Sequence, residues 1–172
     1  ELEDTAVRTL KLICARIGLQ YQVGEVAGLN KKLAYGKGVS ILFYGAPGTG
    51  KTMCAQVLAK ELGMELYRVD LSQMVSKYIG ETEKNLARVF DEARKGNTIL
   101  FFDEADSLFS RRTDVTDVKD KYSNTEVSFL LQKMEEYSGI TILATNLLQN
   151  FDPAILRRLT YSIRFEQPNQ QT

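Results

Sequence analysis

The sequence predicts an α/β fold, a parallel sheet with helices on both faces, and three observations lead to it. Short runs rich in apolar and β-branched residues recur at 39–44, 66–69, 99–102, 140–144 and 161–165. Longer segments between them carry apolar residues at helical spacing. A glycine-rich turn, GAPGTGKT, directly follows the first run and precedes a helical segment. Strands alternating with helices argue for parallel pairing, because parallel neighbours need a crossover connection and a helix is the usual one.

Element by element, Val7, Leu10, Cys14 and Ile17 mark a first helix that Gly18 should stop, and a Gly- and Lys-rich stretch from Gln20 to Gly38 follows. Val39 to Tyr44 reads as a buried strand. The helix after the glycine-rich turn should face inward with Val57, Leu58 and Leu62 and end at Gly63. Leu66 to Val69 is the second strand, with Asp70 placed to cap the turn behind it. A helix from about Glu81 to Lys95 has Leu86, Val89, Phe90 and Ala93 inside, acidic residues in its first turn, basic ones in its last, and Gly96 at its end. Ile99 to Phe102 is the third strand and Ser110 to Lys121 a polar loop. Val127, Leu130, Leu131 and Met134 line the next helix, and Ile140 to Ala144 is the fourth strand. Asp152 and Pro153 form an N-cap and first-position pair for a short helix before the last strand, Tyr161 to Phe165.

Length and composition fit one globular domain: 172 residues, 44% apolar and 26% charged. Twenty-two basic residues balance twenty-two acidic ones, which argues against nucleic acid as the partner. With no histidine in the chain, His-based metal sites and His-dependent triads are excluded. Cys14 and Cys54 lie among apolar residues in helical segments and read as reduced and buried, not as a disulfide framework. No apolar run approaches the roughly 20 residues that span a bilayer, no signal peptide opens the chain, and residue 1 is Glu. The expectation is a piece of a larger cytoplasmic protein without membrane insertion.

Two motifs carry the chemistry. Gly45-Ala46-Pro47-Gly48-Thr49-Gly50-Lys51-Thr52 is a full Walker A sequence between a strand and a helix. Its glycines let backbone N–H groups converge where a phosphate chain can sit at the helix N-terminus. Lys51 would place a point charge on the β- and γ-phosphates of ATP, the Thr52 hydroxyl would bind Mg²⁺, and Met53 completes the nucleotide-binding run. The second motif is Ile99-Leu100-Phe101-Phe102-Asp103-Glu104, two carboxylates at a strand end. In this position Asp103 would approach Mg²⁺ and Glu104 would orient and polarise the attacking water. The plainer readings are a Gly-rich turn with an exposed lysine and a solvated strand end. Together the two motifs mark a P-loop NTPase.

The rest of the chain resembles one branch of that class. Phe102-Asp103-Glu104-Ala105-Asp106-Ser107-Leu108-Phe109-Ser110-Arg111-Arg112 resembles the extended Walker B region of AAA+ ATPases. Thr141-Ile142-Leu143-Ala144-Thr145-Asn146 is similar to their sensor 1 strand. Phe151-Asp152-Pro153-Ala154-Ile155-Leu156-Arg157-Arg158-Leu159 resembles their second region of homology, in the form found in katanin, spastin and their relatives. Ser76-Lys77-Tyr78-Ile79-Gly80-Glu81 resembles the first pore loop of AAA rings. The resemblance covers about Lys31 to Pro168.

This resemblance implies a five-stranded parallel sheet in the order 5-1-4-3-2, with residues 31–172 as the large ATPase subdomain and residues 1–30 as an N-terminal helix and linker. It implies that Asn146 touches the γ-phosphate or the lytic water, and that Arg157 and Arg158 act as arginine fingers on a neighbouring subunit's nucleotide. The plainer role of the arginines is to complement a helix C-terminus, and both can hold. Lys77, Tyr78, Ile79 and Gly80 would form a loop that grips a polypeptide, with the region around Asp114 to Lys121 as a second loop. Tyr78 could equally pack on the loop base with its hydroxyl in water. The implied activity is ATP hydrolysis by a homo-oligomeric ring, a hexamer, coupled to remodelling or translocating a protein substrate. A nucleotide-gated scaffold and a nucleic-acid motor are the alternatives; Glu104, Asn146 and the arginine pair count against the first, the neutral charge against the second.

The chain departs from the family pattern in three ways. Ala46 stands where proline is commoner, Leu159-Thr160-Tyr161-Ser162 follows the arginines in place of an aromatic and charged stretch, and the chain ends soon after Pro168. The helical lid with its sensor 2 element would lie beyond that point, so this piece alone should bind nucleotide more weakly and assemble poorly.

Overall fold

The computed structural model describes residues 7–16, 38–75, 78, 80–109, 119–151 and 153–167. A helix over residues 7–16 (α1) comes first. Then follow β1 (Val39–Gly45), α2 (Lys51–Leu62), β2 (Glu65–Asp70), a single turn α3 (Leu71–Met74) and α4 (Glu81–Ala93). β3 (Thr98–Asp103), a turn α5 (Asp106–Phe109) and α6 (Lys119–Glu136) come next. β4 (Ile140–Thr145), a 3₁₀ turn (Leu148–Asn150), α7 (Pro153–Leu156) and β5 (Tyr161–Phe165) complete the order.

All five strands are parallel, in the order β2-β3-β4-β1-β5, the expected order read from the other edge. The period-2 alternation of strand side chains splits the core into two layers. Ile41 and Phe43 of β1, Ile99 and Phe101 of β3, and Ile140 and Ile142 of β4 join Cys54, Ala55, Leu58 and Ala59 of α2 and Ile13 of α1 on one face. Leu42, Leu100, Phe102 and Leu143 point the other way, onto Leu86 and Phe90 of α4 and Leu130, Leu131 and Met134 of α6. Both faces of the central strands are covered, and apart from Asp103 at the end of β3 the polar side chains they carry are hydroxyls: Ser40, Tyr44, Thr98, Thr141 and Thr145. Tyr137 is buried at the end of this second layer, where its hydroxyl donates to the Thr98 carbonyl at 2.6 Å.

Several local expectations need correction. Val57 is 54% exposed, because α2 meets the sheet with Cys54, Ala55, Leu58 and Ala59. At about 100° per residue these four share one face, and Val57 turns away from it. Small residues there let the helix lie close on the sheet, so bulk was the wrong guide. In α1 the fully buried residue is Ile13, with Leu10 and Cys14 packed beside it. α4 ends at Ala93, so Arg94 and Lys95 lie beyond it and its last turn holds no basic residue. α6 begins at Lys119, inside the stretch expected to be loop. Ile17, Gly18, residues 110–118 and Asp152 lie outside the described residues. Among the described residues no helix is long and apolar enough to cross a membrane.

Candidate active site

The site is built on the C-terminal ends of β1, β3 and β4, which the strand order sets side by side with β4 in the middle. β1 ends at Gly45, whose φ of 148° lies in glycine territory and whose added Cβ would fall 2.0 Å from the Phe165 carbonyl oxygen. This close approach locks the start of the glycine-rich loop to β5. Gly48 and Gly50 are also left-handed, at φ 75° and 91°, but a Cβ there would meet nothing within 4 Å. Their bare backbone faces open space, the cradle a phosphate chain needs. Gly50 is the N-cap of α2 and supplies no side-chain cap, so the first N–H groups of the helix are left for a ligand.

Lys51, only 9% exposed, folds back over this loop. Its ammonium donates to the carbonyls of Gly45 at 2.7 Å and Ala46 at 2.8 Å, and it lies 3.5 Å from the Thr49 hydroxyl. The Thr49 hydroxyl in turn donates to the Ala46 carbonyl at 2.8 Å, and Pro47 sits within the turn they close. Burial pulls the Lys51 pKa down, opposed by the carboxylates of Asp103, Asp106 and Glu104, which thereby lie within electrostatic reach. Thr52 follows in the first turn of α2, and Met53 is 68% exposed on its outer face.

β3 ends in Asp103, directly across from Asp70 in the register with β2. Both oxygens of Asp103 are engaged: Oδ1 accepts the Glu104 N–H at 2.9 Å, and Oδ2 pairs with the Arg68 guanidinium at 2.5 Å. Glu104 is the sole non-glycine residue with positive φ among the described residues, at 55°. Such a conformation costs on the order of 1 kcal/mol and gathers at functional sites. It is held by its neighbours, since the Ala105 N–H donates to the Ala144 carbonyl of β4 at 3.0 Å and the Ser107 N–H to the Glu104 carbonyl at 3.0 Å. Burial raises the Glu104 pKa, helped by Asp103, Asp106 and Asp70 and opposed by Arg68.

The end of β4 is tied to the same place. Asp106 Oδ1 accepts the Thr145 hydroxyl and, at 3.2 Å, the Asn146 N–H. Thr145 Oγ1 also accepts the Leu147 N–H at 3.0 Å. Asn146 therefore has its backbone fixed to the helix that follows Glu104, while its side chain is half-buried.

For Mg²⁺ the donor set suits the ion. The Thr52 hydroxyl and the Asp103 carboxylate are hard oxygen ligands, and Mg²⁺ is usually held by one or two carboxylates together with substrate phosphates. Among the described residues no group of three or more His, Cys, Asp or Glu side chains forms a cage of protein ligands, so phosphate and water would complete the shell.

The remaining expected residues lie apart from this cluster in the hydrogen-bond network. Arg158 donates from Nε to Glu135 of α6 at 2.8 Å, and this bond raises its pKa. The exposed Arg157 side chain has no ion-pair partner among the described residues. Tyr78 is 76% exposed, and Gly80 is the left-handed N-cap of α4 at φ 79°. Lys77 and Ile79 lie outside the described residues. Two residues of the cluster, Arg68 and Asp106, escaped sequence reasoning, as did Glu135 beside Arg158. Asp106 sits inside the same motif, whose spacing assigns roles only to Asp103 and Glu104. Arg68 and Glu135 give a signal only once the strand order and helix packing are known.

Comparison with known proteins agrees with this geometry. A sequence model of the "ATPase family associated with various cellular activities (AAA)" matches residues 41–167. The chain is 40% identical over 128 residues to the AAA family ATPase y4kL of Sinorhizobium fredii, covering 74% of this chain and 39% of that one. It is 38% identical over 148 residues to a 26S proteasome regulatory subunit 8 homolog of Encephalitozoon cuniculi, covering 82% and 37%. It is 38% identical over 136 residues to vacuolar protein sorting-associated protein 4 of Dictyostelium discoideum, covering 76% and 30%. The chain thus spans less than two fifths of the length of these relatives. With the family match running from β1 through β5 and over both phosphate-site motifs, this chain belongs to the AAA family of ATPases.

Proposed function

We propose that this domain binds ATP with Mg²⁺ and hydrolyses it within a homo-oligomeric, hexameric ring of the full-length cytoplasmic protein, and that the ring spends the hydrolysis on remodelling or translocating a protein substrate. One observation carries the reading: the Lys51 loop, the Asp103–Glu104 pair and the Asp106-held end of β4 converge on the adjacent C-terminal ends of three parallel strands. In open α/β sheets that end is where ligands bind.

The roles follow from the chemistry of each group. Backbone N–H groups of Gly48 to Lys51 and the free N-terminus of α2 take the phosphates. Lys51 exchanges the Gly45 and Ala46 carbonyls for phosphate oxygens, a change from neutral to charged acceptors that favours the ligand. Thr52 and Asp103 would hold the metal ion, which when bound neutralises charge on the phosphates. Glu104 accepts a proton from, or orients, the attacking water, and Asn146, at the neighbouring strand end, would touch the γ-phosphate or that water. Arg157 and Arg158 reach a neighbouring subunit's nucleotide; a residue in that role supplies about 10³–10⁵ in rate. The exposure of Tyr78 supports a substrate-gripping loop at 77–80 over a packed one. The names of the proteasome subunit and sorting-protein relatives lend support to a protein substrate.

The test is turnover per subunit of the full-length protein across a wide concentration range, for the parent and for Arg157→Ala/Arg158→Ala. Turnover should climb with concentration in the parent and stay low in the double variant while ATP binding persists. A flat profile that survives the double substitution would mean that the active site is complete within one subunit.

A further inference from the structure

We propose that Arg68 is a resident counter-cation for Asp103, holding the metal-binding carboxylate before Mg²⁺ arrives and giving it up when the ion binds, so that Arg68 sets how much Mg²⁺ the site requires. The inference rests on Asp103 being the metal ligand of the proposed function.

The geometry forces a competition. Asp103 Oδ1 is committed to the Glu104 N–H at 2.9 Å, a bond that helps hold the left-handed turn at Glu104. The outer oxygen, Oδ2, is the one on offer, and the Arg68 guanidinium occupies it at 2.5 Å. A divalent cation, bound directly or through a water, would have to share that oxygen with a second positive group. Two cations on one oxygen repel, so each weakens the other's hold on it.

Arg68 is built to be the one that leaves. It stands on the edge strand β2, paired with β3 alone, and its side chain is 56% exposed while that of Asp103 is 16% exposed. Water can therefore take the guanidinium back at little cost. An ion pair with one exposed member holds by about fivefold or less, a brake rather than a block. Something must fill the place in the metal-free state, because Asp70, Asp103, Glu104 and Asp106 crowd carboxylates at these strand ends. Without a counter-cation, that crowd would also repel the triphosphate.

Arg68 thereby acts in opposite senses on two measurable quantities. Metal-free nucleotide binding gains from its charge, whereas Mg²⁺ uptake loses to it. The experiment is a binding titration of a fluorescent ADP analogue to the full-length protein, first in EDTA and then against rising Mg²⁺. For Arg68→Gln, the Mg²⁺ concentration for half-saturation should fall about two- to fivefold, and affinity in EDTA should weaken by a similar factor. Arg68→Lys, which keeps the charge but not the planar fork, should retain the parent's affinity in EDTA and fall between the two in Mg²⁺ demand.

A merely structural Arg68 would, when replaced, weaken both kinds of binding, raising the Mg²⁺ half-saturation concentration while lowering affinity in EDTA; that result, or an unchanged Mg²⁺ requirement, overturns the proposal. Asp103→Asn separates the two levels of the argument. If it leaves the Mg²⁺ dependence unchanged, the metal assignment and the role of Arg68 fall together. If it raises the Mg²⁺ requirement while Arg68→Gln fails to lower it, the role of Arg68 alone falls.

Discussion

Thr145, the last residue of β4, donates its hydroxyl to Asp106, which lies at the start of the turn that follows Glu104. The same carboxylate oxygen takes the Asn146 N–H, so one acidic side chain fixes the end of one strand relative to the acid pair at the end of another. Thr145 is 1% exposed, and water cannot replace the bond. Thr145→Val keeps the shape and removes the hydroxyl, leaving the Leu147 N–H without its acceptor as well. We expect a stability loss of about 1–3 kcal/mol and a fall in kcat of about tenfold or more at nearly constant KM, since small misplacements cost rate more than binding. Thr145→Ser should recover kcat. If Val and Ser variants turn over alike, the hydroxyl does not position the site.

The Glu104 carboxyl gives a prediction in pH. Burial, then Asp103, Asp106 and Asp70, raise its pKa, so folding favours its protonated form. A raised carboxyl contributes stability that is complete below the unfolded value of about 4.3 and is lost as pH rises through the folded value. At neutral pH the charge therefore works against folding. Glu104→Gln, which removes the charge at the same size, should be more stable than the parent at pH 7, with the gap closing as the pH falls below about 4. Denaturant unfolding at the two pH values reads this. The same variant should bind ATP and lose turnover; a gap independent of pH would mean that Glu104 is not under repulsion.

Glycines in one loop should divide into two kinds. Gly45→Ala drives a Cβ to 2.0 Å from the Phe165 carbonyl, against backbone that pairs β1 with β5. The chain must part there, and a loss of about 3 kcal/mol or more in urea unfolding is expected. At Gly48 and Gly50 a Cβ meets nothing, so Ala costs only the left-handed backbone, about 1–2 kcal/mol, while intruding on the phosphate cradle. These two variants should fold and bind nucleotide poorly. Equal losses of stability at all three positions would refute the division.

The fold was legible where one physical cause dominates. β1, β3 and β4 are buried on both faces, so their sequences are mostly apolar and β-branched, with only small hydroxyl residues such as Ser40 and Thr141 between the apolar ones. Lys51, Asp103 and Glu104 announce themselves because backbone, charge and spacing act within a few residues. Reading failed where the partner is remote. Val57 looked like core until α2 showed that its small residues face the sheet. Arg68, like Arg164, is only an arginine in a strand until β2 lies beside β3 and sets it against Asp103, 35 positions away. Asp106 seemed surplus until β4 arrived next to it.

In the proposed ring the two arginines differ in what each would surrender before acting on a neighbour. Arg158 is bonded to Glu135 at 2.8 Å, with both side chains partly exposed. Such a pair holds the guanidinium by up to about 1 kcal/mol, or fivefold. Arg157, exposed and without an ion-pair partner among the described residues, gives up only water. Arg157→Ala should therefore cost more turnover than Arg158→Ala. Glu135→Gln removes the charge that holds Arg158 and should raise turnover at subsaturating protein concentration by up to about fivefold. That gain should vanish in the Arg158→Ala background, because no arginine is left to release. If Glu135→Gln instead lowers turnover, and Arg158→Ala lowers it by the same factor with no further loss in the double variant, the pair works as one structural unit within its own subunit. Arg157 would then be the only finger.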